Sequence, residues 1–354
     1  MKIGILTSGG DCPGLNAVIR GFGKYAFENI KNVQLIGIAD GYGGLIRGEC
    51  RALKPQDFTG ILTLGGTILG TSRQPFKLMT VEDENSVTRL ELMKQNYKKM
   101  GLDCLLTLGG AGTHKTAALL SAEGCNVIGL PKTIDNDIWG TDVTFGFHTA
   151  VDIATECIDR LHSTAASHGR TMVVEIMGNK AGWLTLYSGI AGGADVILLP
   201  EIPFSADKVA KAVARRADSG KAFSIVAVAE GAMTVEESKM KKKERLEKRG
   251  GDATATNALA KYIAEKAGVE TRVVVPGHIQ RGGSPSAYDR LLSTEFGSFA
   301  GKLVEEGRFG VTVAMVKNRV TYNALADIAG KAKLVPIDCQ EIETAESIGV
   351  SFGR

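Results

Sequence analysis

The chain has 354 residues, enough for two or three domains, and its 44% apolar and 23% charged content excludes an extended disordered polymer. A net charge of +3 gives no basis for a nucleic-acid or membrane-surface partner, and no apolar run approaches the roughly 18 residues of a spanning helix. The opening MKIGILTSGG lacks a signal-peptide pattern, and the six cysteines are scattered without metal-ligand spacing, so a cytoplasmic location with plain reduced thiols is expected.

In chain order, short apolar runs rich in β-branched residues occupy 3–7, 33–39, 104–108, 127–130, 172–176, 196–199, 225–229, 273–275 and 311–316. They read as buried strands. Before the third of them, Val87, Leu90, Met93, Tyr97 and Met100 recur at helical period, with Ser86 as the expected N-cap and Gly101 as the stop. Strand, helix, strand in repetition predicts α/β architecture: doubly wound, mostly parallel sheets covered on both faces. The stretch 239–249, KMKKKERLEKR, holds seven basic and two acidic residues and reads as an exposed helix or an inserted segment with a solvated face.

In doubly wound sheets the ligand sits beyond the carboxyl ends of the strands. Here those ends carry TSGGDCPG, ADGYGG, LGGAGTHKT, PKTIDND, EIMGNKAG, AEGAM and PGHIQRGGSP. Glycine is abundant, 44 of 354, as expected where backbone approaches a ligand closely. SGGDCPGLNA and LGGAGTHKTA each form a glycine-rich turn into a helix N-terminus, the local form that binds phosphate. TIDND suits phosphoryl transfer: Asp135 as the base that accepts a hydroxyl proton, Asp137 to hold Mg²⁺ or orient the loop, Lys132 and Arg73 as cations. His278 and Arg281 stand three apart in GHIQRGG, near enough to share a sugar phosphate.

Taken together, LTSGGDCPGLNAVIRG, GGTILGTSR, PKTIDNDIWGTD, SHGR, EIMG and PGHIQRGGSPSAYDR resemble the 6-phosphofructokinase family, in its ATP- or pyrophosphate-dependent branches, from residue 1 to about 320. The resemblance implies two Rossmann-like α/β/α domains. Residues 1–146 with about 279–310 would bind the phosphoryl donor, 147–278 with about 311–325 would bind fructose 6-phosphate, and 326–354 would form a tail. It implies phosphoryl transfer to the sugar's 1-hydroxyl with Mg²⁺, in glycolysis, by a homotetramer or homodimer. The sugar phosphate would meet Thr133, Asp135, Met177, Gly178, Glu230, His278 and Arg281, with Arg170 and Arg272 reaching in from a neighbouring subunit. The donor would meet Gly10, Arg73, Gly110, Ala111, Gly112 and Thr113, with Tyr42 near a nucleotide base.

Departures from the family pattern matter as much. Ala111 stands where a carboxylate usually serves Mg²⁺, leaving Asp137 or donor oxygens to hold the metal, and Asn179 replaces an Arg. Lys132 resembles pyrophosphate users, whereas Gly112 leaves room for the α-phosphate of ATP. A steric block excludes a ligand while a cation only favours one, so ATP is the expected donor and pyrophosphate the alternative. The losses at 111 and 179 motivate a second alternative, a non-catalytic sugar-phosphate sensor. Nicotinamide-nucleotide and lipid kinases share a turn like LGGAGT but lack TIDND and GHIQRGG. Arg20, Lys24 and Lys221 fit the family's effector pocket, but His162 and Phe223 fall where basic residues usually bind phosphate.

Overall fold

The computed structural model describes every residue except 85, 221 and 222; Lys221 therefore lies outside the described residues. Among the described residues the strands are β1 Lys2–Ser8, β2 Gln34–Ile38, β3 Cys50–Leu53, β4 Cys104–Gly109, β5 Val127–Pro131, β6 Thr171–Ile176, β7 Val196–Leu198, β8 Ser224–Ala229, β9 Thr271–Val274, β10 Val311–Val316 and β11 Arg319–Ala324. The chain divides into two compact units, 1–149 with 281–333, and 150–280 with 334–354.

The first unit holds a seven-stranded sheet in the order β11-β10-β5-β4-β1-β2-β3. Its centre is parallel, and β3 and β11 close the two edges antiparallel. The middle strands β4 and β5 are buried at every residue, the pattern of a sheet covered on both faces. Each fully buried Leu or Ile there is worth about 1.5–3 kcal/mol against solvent exposure. The second unit holds four parallel strands in the order β7-β8-β6-β9, with β6 and β8 buried and β9 a half-exposed edge. This is the α/β, mostly parallel fold read from the strand and helix alternation.

Three expectations are corrected. Residues 311–325 do not belong with the sugar domain: β10 pairs in parallel with β5 (Val311 opposite Ile128), and β11 returns antiparallel beside it, placing both in the first unit. Nor is 326–354 one tail. It is shared between the units, and Ser351 bridges to Val196 at the β7 edge of the second sheet. The N-cap of the helix Arg89–Lys99 is Thr88, not Ser86: the Thr88 hydroxyl accepts from the Glu91 amide at 3.1 Å while Glu91 accepts the Thr88 amide at 2.7 Å. Ser86 has φ 58° and sits in the preceding turn. This reciprocal box satisfies two orphan donors at once.

The strands β3 and β11 have no apolar run to announce them, because at the sheet edges most of their residues stay partly exposed. The basic stretch forms the short helix Lys242–Lys248 after a 3₁₀ turn, Glu237–Lys239. Arg249 anchors it, with Nε donating to Glu237 at 2.7 Å and a second nitrogen to the same carboxylate at 3.0 Å, in a pair less than a tenth exposed.

Candidate active site

In the first unit β5, β4 and β1 are neighbours, so the loops that leave their carboxyl ends stand side by side. The loop after β4 enters the helix Ala111–Ala122 with Gly110 at its N-cap, so the first-turn N–H groups of Ala111, Gly112 and Thr113 lie beyond the strand end. Two buried side chains hold this turn from behind. The Tyr42 hydroxyl donates to the Thr113 carbonyl at 3.0 Å, and the Thr113 hydroxyl donates to the Ser8 carbonyl at 3.4 Å. Tyr42 is only 1% exposed, which corrects its expected place beside a nucleotide base: it is a brace, and burial pushes its phenol pKa up.

His114 is the second brace, and sequence reasoning missed it. Its Nδ1 lies 3.0 Å from the Gly110 carbonyl, which can only accept, so Nδ1 carries the proton and Nε2 accepts from the Thr312 hydroxyl at 2.9 Å. Burial pulls this imidazole down to about 4 from its ordinary 6.5, against the bond to Gly110, which raises it, and with Lys132 lowering it further. A folded-state pKa below the unfolded one means that the stabilisation is complete above pH 6.5 and is lost as pH falls through 4. The unfolding free energy should therefore drop between pH 6.5 and 4 by more in the wild type than in His114→Gln, with a differential on the order of 3 kcal/mol. Equal acid slopes in the two proteins would remove this account.

The β1 loop and the start of the β5 loop form a cationic cluster. Lys132 is 4% exposed and donates its ammonium to the Gly10 carbonyl. Burial lowers its pKa, with Cys12 opposing and Arg281 reinforcing that shift. Burial pushes the Cys12 thiol up to about 12, so it stays neutral. Arg281 packs its guanidinium against Gly10 so closely that a Cβ there would lie 1.8 Å from a guanidinium nitrogen, so any larger residue at this position would displace the guanidinium. Its buried Nε has no hydrogen-bond partner among the described residues. Arg281 thus stands against the β1 loop and near Lys132, a placement that its spacing from His278 did not reveal. Arg73 is exposed on its own loop, whose Ser72 carbonyl accepts the Gly9 amide at 3.0 Å.

Residues 133–138 alternate, with Ile134, Asn136 and Ile138 buried and Thr133, Asp135 and Asp137 partly exposed. This alternation turns the hydroxyl and both carboxylates away from the core. Asn136, at φ 50°, makes the bend and fixes it, accepting the Thr144 amide at 3.1 Å and donating to the Asp142 carbonyl at 3.4 Å. The Thr133 hydroxyl accepts the Asp135 amide at 3.0 Å, and the Thr144 hydroxyl donates to the Thr133 carbonyl at 2.7 Å, so the loop is closed on itself. No group of three or more metal-ligating side chains exists among the described residues, so Asp137 belongs to no preformed metal cage.

In the second unit the neighbouring strands β6 and β8 are followed by Met177-Gly178 and Glu230-Gly231, and the Glu230 amide donates to the Ile176 carbonyl and the Gly231 amide to the Gly178 carbonyl at 2.8 and 3.1 Å. Gln280, fully buried and not anticipated, accepts the Met177 amide at 3.1 Å and donates to the Gly277 carbonyl at 3.1 Å, tying the GHIQ turn to that strand end. His278 itself is exposed. Arg170 and Arg272 both pair with Glu270 near the β9 edge, the former at 2.9 Å. At the expected effector positions, His162 Nε2 lies 2.6 Å from the Gly192 carbonyl and stacks edge-on to Phe223.

Residues 2–304 match the model of a family described as Phosphofructokinase. A relative from Spirochaeta thermophila, named ATP-dependent 6-phosphofructokinase, is 56% identical over 99% of this chain and 97% of its own. Another from Bacteroides thetaiotaomicron, ATP-dependent 6-phosphofructokinase 3, is 47% identical over the full length of both. Among solved structures, Pichia pastoris phosphofructokinase in the T-state superposes with a TM-score of 0.79 at 33% identity, over 93% of this chain and 35% of that one.

Proposed function

Because the chain belongs to the phosphofructokinase family, we propose that it transfers the terminal phosphoryl group of ATP to the 1-hydroxyl of fructose 6-phosphate, giving fructose 1,6-bisphosphate and ADP in glycolysis. The observation that carries the reading is the outward Asp135 on a braced loop that begins at Lys132, with Lys132 and Arg281 converging on Gly10.

Asp135 takes the proton from the sugar hydroxyl as its oxygen attacks the terminal phosphorus and the bond to ADP breaks. Thr133 holds the Asp135 amide and shares the sugar contact. Lys132, Arg281 and Arg73 offset charge on the transferred group, and the amides after Gly110 receive the donor phosphates. Arg281 was expected on the sugar phosphate; its contact with Gly10 supports a place nearer the transferred group. Met177, Gly178, Glu230 and His278 are assigned to the sugar and its phosphate. Arg170 and Arg272 are assigned to the sugar of a neighbouring copy. The exposed apolar Val275 and Ile279, next to β9, support self-association as a homodimer or homotetramer. Mg²⁺ normally keeps several waters and rides on substrate phosphates with one or two carboxylates, which fits Asp137 without a side-chain carboxylate at Ala111. There it would neutralise donor charge.

No helix among the described residues is long and apolar enough to cross a membrane. The cytoplasm is the proposed compartment. The test is a coupled assay of fructose 1,6-bisphosphate formation with Mg²⁺, comparing ATP and pyrophosphate. Faster turnover with ATP is expected. Preference for pyrophosphate, the reading that Lys132 favours, would overturn the donor assignment, and no turnover with either donor would leave the sugar-phosphate sensor.

A further inference from the structure

Residues 137–142, the far half of the loop that carries Thr133, Asp135 and Asp137, are held largely by chain from beyond residue 304, where the family match ends. The Asp142 amide donates to the Met315 carbonyl at 2.7 Å, and the Thr141 hydroxyl accepts the Met315 amide at 2.9 Å. Asn323 donates to the Gly140 carbonyl at 2.6 Å. Ala332 bridges to Ile138, and the next residue, Lys333, donates its amide to the Asp137 carbonyl at 2.9 Å. The Lys333 ammonium then reaches the carbonyls of Thr141 and Asp142, at 2.9 and 2.8 Å. The acidic side chains of Asp142 and Asp137 also act on it. One residue therefore grips the loop on both sides of the Gly140 bend, and its nearer grip is two residues from Asp135.

We infer that Lys333 is a positioning residue for phosphoryl transfer: its amide and ammonium fix residues 137–142 and so set where the Asp135 carboxylate stands against the attacking hydroxyl. The inference rests on Asp135 being the base. A lysine that merely clipped a surface segment would need only one of these bonds. Lys333 turns main-chain and side-chain donors onto carbonyls four and five residues apart, which removes the loop's freedom to pivot about Gly140. Misplacement of a catalytic group by about 1 Å costs on the order of 10²-fold in rate, without a matching loss of ground-state affinity.

The test uses the full chain. Lys333→Met should lower kcat at least tenfold while KM for fructose 6-phosphate stays within about threefold, and Lys333→Arg, which can still reach both carbonyls, should recover most of the rate. Amide hydrogen exchange in residues 133–144 should quicken in Lys333→Met with the rest of the first unit unchanged. Should Lys333→Met fail to fold, Lys333→Gln, which keeps one donor, should show the same pattern at smaller size. Normal kcat in Lys333→Met would overturn the inference. So would a loss that Arg does not recover, accompanied by faster exchange throughout the first unit. Asp135→Asn separates the two readings: it should abolish turnover without changing loop exchange, and if it stays active the base assignment fails while the exchange result for Lys333 still stands.

Discussion

Asp135→Asn keeps its fold and its affinity for fructose 6-phosphate and loses between about 10²- and 10⁴-fold in kcat, the range that general-base help supplies. The fold is expected to hold because Asp135 is partly exposed and its neighbours, not its carboxylate, build the loop: Ile134 and Ile138 are buried, and Asn136 and Thr144 close the turn. Asparagine preserves the shape and removes only the ability to take a proton. The measurements are steady-state kinetics, a thermal midpoint and a binding isotherm for the sugar phosphate. A kcat within a few-fold of wild type would mean that another group is the base. A collapse in stability would mean that the carboxylate is structural.

Gly112→Asp should lower kcat/KM for ATP by about 10²-fold and leave pyrophosphate use comparatively intact, turning the donor preference. Gly112 lies in the first turn of the helix Ala111–Ala122, is exposed, has no positive φ, and a Cβ built there meets no atom within 4 Å. Nothing in the protein therefore demands glycine at this position. Glycine in a helix costs roughly 0.5–1 kcal/mol relative to alanine, so its presence calls for a reason outside the fold. The reason we propose is room for a donor phosphate, which a carboxylate would both crowd and repel; like-charge juxtaposition costs several kcal/mol, and about 2.8 kcal/mol is already 10²-fold. Gly112→Ala supplies the control, with a higher thermal midpoint from helix propensity together with a weaker ATP KM. If Gly112→Asp uses ATP as well as the wild type does, residue 112 does not face the donor.

Much of the site was legible before any coordinates because its signals are local. A glycine-rich turn at the end of an apolar run announces a strand end that meets a helix N-terminus. Asp135 was legible because TIDND places two carboxylates just after the apolar run 127–130. Tyr42 and His114 were not, because the same side chains serve equally well as ligand contacts or as buried braces. What separates the two roles is whether a carbonyl such as that of Thr113 or Gly110 lies within reach. Arg281 was tied to His278 by spacing, and its packing against Gly10 is a contact between positions more than 270 apart in the chain.

The sequence by itself determined the α/β class, the buried strands of both sheets and the loops that carry polar chemistry, since period and composition encode which side of each element meets water. Only the tertiary structure decided that β10 and β11 complete the first sheet, that the last residues are shared between the two units, and that Lys333 holds the Asp135 loop. Those outcomes depend on which distant backbone donor finds which acceptor. No local pattern specifies that choice, because a lysine, an edge strand or a carbonyl carries no mark of its partner until the sheet brings them within about 3 Å.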